Sequence, residues 1–120
     1  MTKKTSVTIY HNQRCSKSRQ TLAILNSRLD CDVEVIEYLK SPPSVDQLKS
    51  ILSMLDMKPL ELMRRNESVF KSEKLDQADL DNDDLIAKML EHPILIERPI
   101  VVVGNQARIG RPPEQVLQLL

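Results

Sequence analysis

Apolar and polar positions alternate first over residues 5–10, TSVTIY, where β-branched types dominate, and this predicts a strand. The polar stretch HNQRCSKS follows. Leu22, Leu25 and Leu29 then recur at helical spacing and predict a helix over residues 16–29. Alternation returns in DVEVIEY, residues 32–38, and predicts a second strand. A strand, a helix and a strand in that order favour a parallel pair joined by a right-handed crossover.

Pro42-Pro43 interrupts the pattern. Ser44, with Gln47 three residues on, carries the capping-box signature of a helix start. Val45, Leu48, Ile51, Leu52 and Leu55 supply that helix with an apolar stripe. Short helices are predicted over 59–65 and 67–74. Asp81 or Asn82 caps a further helix with Leu85, Ile86, Met89 and Leu90 facing inward. The run PIVVV, residues 99–103, predicts a buried strand. Gly104-Asn105 is a two-residue hairpin signal, and residues 106–109 return as a short strand. Pro112 suits the first turn of a last helix bearing Val116, Leu117 and Leu120.

Setting aside the helical stretch over residues 44–91 leaves βαβ followed by ββα. The predicted fold class is therefore α/β, a thioredoxin-like βαβ–ββα core with a helical insertion between the second and third strands, in a single domain over residues 1–120. In that architecture the reactive thiol lies just after the first strand, at the start of the first helix.

Composition narrows the function. The 120 residues suit one domain and bury a core without disulfides or a structural metal. Seventeen basic and seventeen acidic residues cancel, which argues against nucleic acid as a partner. Tyr10, Tyr38 and Phe70 are the whole aromatic set, too few for a base-stacking platform. No apolar run approaches the ~20 residues of a membrane span. The start, MTKKTSVTIY, is basic but has no apolar core of a secretory signal, so the expected location is the cytoplasm, with no membrane partner.

The two cysteines differ in setting. Cys15 stands among Arg14, Lys17 and Arg19, whereas Cys31 lies between Asp30 and Asp32. Cations lower a thiol pKa and anions raise it, so Cys15 is the expected reactive thiol and Cys31 the inert one. At a helix start, unpaired backbone N–H groups stabilise a thiolate and also attract tetrahedral anions. His11, four residues before Cys15, is a candidate cationic neighbour or proton donor. The bland alternative is a cysteine acting as a small apolar filler. A dithiol site needs a second cysteine where Ser18 stands; Ser18 instead offers a hydrogen bond to the thiolate. A Cys-dependent phosphatase loop needs an arginine at position 21, which is Thr21. With no resolving cysteine nearby, an external thiol must close any redox cycle.

Three arginines outside this loop, Arg64, Arg98 and Arg111, are candidates for an anion clamp, because a guanidinium fork matches a tetrahedral oxyanion. Arg98 and Arg111 flank the predicted hairpin, which lets both lie near one rim of the sheet. Spacing alone leaves surface arginines as an equal alternative.

The segments YHNQRCSKSRQTL, YLKSPPS, LMRRN, HPILIERPIVV and ARIGRPPEQVL, in this order, resemble the arsenate reductases that use glutathione and glutaredoxin, in particular their short subgroup of about 120 residues, along essentially the whole chain. The resemblance implies reduction of arsenate to arsenite through a covalent Cys15 thiol–arsenate adduct. It places the nucleophile at Cys15 and the oxyanion ligands at Arg64, Arg98 and Arg111. It places the histidine that tunes the nucleophile at His11, the early helical serine and arginine at Ser18 and Arg19, and a cis proline at Pro99. It further implies glutathione and glutaredoxin as reducing partners, with no metal or resident cofactor needed; a monomer is expected. The chain departs from the family's HNPxC pattern at Gln13, which loosens the loop because proline would restrict φ.

Two other functions fit the same pattern: a non-catalytic, Spx-type transcriptional regulator, and a single-thiol oxidoreductase acting on glutathione mixed disulfides. Weaker signals are set aside. The acidic run from Asp76 to Asp84 lacks the glycine and terminal glutamate of a calcium loop and reads as a solvated helix start. His11, Cys15, Cys31 and His92 are too scattered for a closed zinc site, and His92 before Pro93 reads as a helix end.

Overall fold

The computed structural model describes residues 4–77 and 79–120, so Met1–Lys3 of the basic start and Ala78 of the helical stretch lie outside it. The chain divides into two compact units. The first comprises the chain through Ser41 together with Arg98–Leu120, and the second is Pro42–Glu97.

The first unit holds β1 (Thr5–His11), α1 (Ser16–Asn26), β2 (Cys31–Glu37), β3 (Ile100–Val103) and β4 (Gln106–Ile109). The strands form one sheet in the order β2-β1-β3-β4. β1 and β2 are parallel, pairing Thr5 with Cys31 at one end and His11 with Glu37 at the other. β3 runs antiparallel to both β1 and β4. A parallel pair needs a crossover, and α1 supplies it. Gly104 opens the β3–β4 turn at φ 60°, a conformation glycine adopts without steric cost. Val7, Ile9, Leu25, Cys31, Val101, Val116 and Leu119 form the buried core of this unit.

Three expectations are corrected here. The first helix ends at Asn26, not at residue 29, because Ser27 turns its hydroxyl onto the Ile24 carbonyl at 2.7 Å and the chain must bend to begin β2. Leu29 therefore lies in the turn and is 90% exposed. β2 spans Cys31–Glu37, one residue earlier than the alternation predicts, although Tyr38 stays buried just beyond it. The last element is a 3-10 helix, Pro113–Leu119, in which Pro113 takes the first turn and Pro112 precedes it. Val116 and Leu119 face inward there, while Leu117 and Leu120 are exposed. The Arg98–Pro99 peptide is cis, as the resemblance implies, and the Arg111–Pro112 peptide is cis as well.

The second unit carries α2 (Val45–Leu55), α3 (Pro59–Leu62), α4 (Ser68–Ser72), α5 (Asn82–Glu91) and a 3-10 turn, Pro93–Leu95. The Ser44–Gln47 capping box is present in both directions. Asp81 is the cap of α5 and exchanges hydrogen bonds with Asp84, so part of the acidic run does serve a helix start. Leu48, Ile51, Leu52, Leu85, Ile86 and Met89 are buried as the stripes predict, whereas Val45 is exposed. His92 ends α5. Among the described residues no helix is long and apolar enough to cross a membrane.

Candidate active site at Cys15

The site is built from the loop between β1 and α1. The Asn12 side chain accepts the Arg14 backbone N–H at 3.0 Å, and the Asn12 carbonyl accepts the Cys15 N–H at 3.0 Å. These two bonds form a tight turn of the kind asparagine favours. They deliver Cys15 to the N-cap of α1 in an extended conformation. Arg19 reaches back from the helix and donates to the Gln13 carbonyl at 2.9 Å. That bond ties the loop at the position where the family pattern has proline. Arg19 thus serves the loop backbone.

Cys15 is buried. Burial pushes its thiol up, but hydrogen bonds from the Ser18 backbone N–H, the Arg98 side chain and the Lys17 backbone N–H outweigh it, and the pKa falls below the ordinary cysteine value. Arg111 brings Nη2 to 3.5 Å from Sγ and anchors itself through Nε to the Arg98 carbonyl at 2.9 Å. Two guanidiniums thus meet one sulfur. The hairpin rim explains how: Arg98 leads into β3 and Arg111 follows β4, and the Gly110 N–H bonds the Pro99 carbonyl at 2.9 Å to close the pair.

Ser18 is fully buried, and its hydroxyl does not supply the predicted bond to the thiolate. It accepts the Asn12 N–H at 3.0 Å and lies 2.7 Å from His11 Nδ1. The hydroxyl thus links the loop backbone at Asn12 to the His11 ring. Ser18 reaches the thiol through its backbone instead. His11 is also buried. Burial lowers its pKa, Glu37 opposes this and Arg19 adds to it, so the protein disfavours the cationic form of the ring.

Arg64 belongs to the second unit. Its guanidinium meets Glu97 at 2.8 Å and Glu67 at 3.3 Å, and its N–H donates to the Leu95 carbonyl at 2.7 Å. Sequence reasoning missed both carboxylates; Glu97 is 33 residues distant. In the same unit Glu73, Glu91 and His92 bring ligand atoms within 4.8 Å of one another. Lys88 supplies their cation, at 2.9 Å from Glu73.

Cys31 sits at the opposite end of the sheet. It pairs with Thr5, whereas the Cys15 loop leaves β1 after His11, six strand positions on, about 20 Å away at ~3.3 Å per residue. Burial and Asp30 raise its pKa. The two thiols therefore separate chemically. Alkylation follows the thiolate, so iodoacetamide is expected to modify Cys15 at a lower pH than Cys31. Peptide mass spectrometry across a pH series checks this, and equal labelling of both at neutral pH would contradict the geometry.

Fold and site together define a thioredoxin-like protein with one acidified thiol at the head of its first helix. The chain belongs to the ArsC family, whose model matches residues 10–119. It is 46% identical over 117 residues to an arsenate reductase of Haemophilus influenzae, covering 96% of this chain and 99% of that one. It is also 46% identical over 115 residues to the uncharacterized protein YfgD of Escherichia coli K12, covering 95% and 96%. The solved structure of an arsenate reductase from Vibrio cholerae superposes with a TM-score of 0.92 at 49% identity, covering 98% of this chain and 99% of that one.

Proposed function

We propose that this protein reduces arsenate to arsenite with Cys15 as nucleophile and glutathione and glutaredoxin as reductants. The observation that carries the reading is the pair of guanidiniums, Arg98 and Arg111, at the acidified Cys15 sulfur. The names borne by the similar proteins point the same way.

The Cys15 thiolate attacks arsenic. A sulfur–arsenic bond forms, an arsenic–oxygen bond breaks, and the oxygen leaves as water after taking up protons. Arg98 and Arg111 neutralise the remaining oxygens, and the first N–H groups of α1 face the same charge. Glutathione displaces a second oxygen as water. A glutaredoxin thiol then takes the glutathionyl sulfur as a disulfide, and the electron pair of the broken sulfur–arsenic bond stays on arsenic, reducing it from the pentavalent to the trivalent state. Water releases arsenite and returns Cys15 as a thiol. Cys31 takes no part, in keeping with its place at the far end of the sheet. Arg64 enters this reading through the family resemblance; Glu67 and Glu97 orient its guanidinium within its own unit.

The test is a coupled assay with arsenate, glutathione and glutaredoxin, reading arsenite formed. Turnover that depends on all three is expected. Activity on a glutathione mixed disulfide without arsenate reduction would replace this reading with the second oxidoreductase reading.

A further inference from the structure

The helical unit gathers three side chains that the Cys15 chemistry does not use: Glu73, Glu91 and His92. Glu73 is the C-cap of α4, Glu91 is the last residue of α5, and His92 is the C-cap of that helix. His92 Nε2 stands 3.4 Å from Glu91 Oε1 and 3.5 Å from Glu73 Oε1. Atoms bound at about 2.1 Å around a tetrahedral ion are about 3.4 Å apart, so two edges of such a site are already set. The third edge, between the two carboxylates, closes within 4.8 Å.

Hydrogen bonding does not account for the arrangement. His92 Nε2 is closed to solvent and has no aligned hydrogen-bond partner among the described residues, although two carboxylate oxygens stand within 3.5 Å. The ring is held there by its backbone. The His92 N–H bonds the Lys88 carbonyl at 2.9 Å, and Pro93 restricts the residue before it. Charge is also left over. Two carboxylates and the partial negative charge at the C-terminal end of α5 share the Lys88 ammonium, which lies 2.9 Å from Glu73 Oε1 and 3.6 Å from Glu91 Oε2.

We propose that Glu73, Glu91 and His92 bind a divalent metal ion of the zinc class, with water completing the coordination and the Lys88 ammonium moving out to solvent as the ion enters. An imidazole nitrogen beside two carboxylates suits zinc, whereas calcium and magnesium prefer all-oxygen sets. All four side chains are partly exposed, so the ion has a way in and Lys88 a way out. Glu91 is the most exposed of them and is free to close the third edge. The bound ion ties the end of α4 to the end of α5 and stabilises this unit by mass action. Nothing in this depends on the reading of Cys15.

The probe is zinc sulfate, titrated into Cys15→Ser protein so that the reactive thiol is no rival ligand. Calorimetry is expected to show saturable binding, with the His92 imidazole resonances shifting at the same midpoint and the melting temperature rising with zinc. His92→Ala and Glu73→Gln are each expected to weaken binding at least about tenfold, since even lost outer partners of a metal ligand cost that much. Lys88→Gln is expected to tighten it about tenfold, because a competing positive charge is gone. Zinc that leaves the His92 resonances in place at millimolar concentration, or that binds His92→Ala as tightly, would overturn the site. Should His92→Ala fail to fold, Lys88→Gln decides: an affinity unchanged or weakened there would also overturn it, because the ion and the ammonium compete for the same oxygens.

Discussion

Cys15→Ser is expected to abolish arsenate reduction while leaving the fold at least as stable. A serine hydroxyl stays protonated where this thiol ionises, and the contacts that acidify Cys15 cannot bridge that gap. The loss expected is at least about a thousandfold, roughly 4 kcal/mol of barrier. The stability side follows from the cap. Cys15 occupies the N-cap of α1 and makes no side-chain capping bond. Serine is among the preferred residues there and accepts a backbone N–H, which contributes roughly 0.5–1 kcal/mol. The melting temperature should hold or rise slightly while activity vanishes. Residual turnover above about a hundredth of wild type would remove Cys15 from the reaction, given that a covalent nucleophile splits the difficult step. A fall in melting temperature would instead show that the thiol is structural.

Gly110→Ala is expected to damage the fold and the site together. A Cβ at this position would lie 2.5 Å from Thr21 Oγ1 and 2.8 Å from Pro99 Cγ. Neither neighbour yields readily. Thr21 is fully buried, β-branched and bonded through Oγ1 to the Lys17 carbonyl at 2.8 Å, and Pro99 is a closed ring. Overpacking of this kind costs about 3 kcal/mol, the upper end of the usual range. In a domain of this size that lowers the melting point by roughly 10 °C. Gly110 lies between the strand that ends the hairpin and Arg111, so displacement there also moves one of the two guanidiniums at the sulfur. Calorimetry of the variant checks the first effect, and the pH dependence of Cys15 alkylation checks the second. A wild-type melting curve would show that the contact at Gly110 relaxes at little cost.

Local signals in the sequence proved the most legible. The Ser44–Gln47 and Asp81–Asp84 caps are formed by residues three apart, so their spacing announces them. β1 and β2 show through period-two alternation, β3 through its apolar run, and β4 through the turn that Gly104 must make. Leu29 misled because helical spacing persists past the point where the chain has to turn toward β2. Ser18 and Arg19 were recognisable as site residues, but their partners were not. His11 and Gln13 lie six or seven positions away and meet them only when the loop folds back. The carboxylates on Arg64 and the crowding at Gly110 depend on segments brought together by the fold, and periodicity carries no trace of either.

The distance between the cysteines has a consequence for how such a protein lives with oxidants. A dithiol enzyme can store a pair of oxidising equivalents as its own disulfide and wait. The second thiol of this chain is out of reach, since Cys31 is buried in the core at the other end of the sheet. A disulfide at Cys15 must therefore be made with a thiol from outside, so how much of it forms reports the thiol pool around the protein.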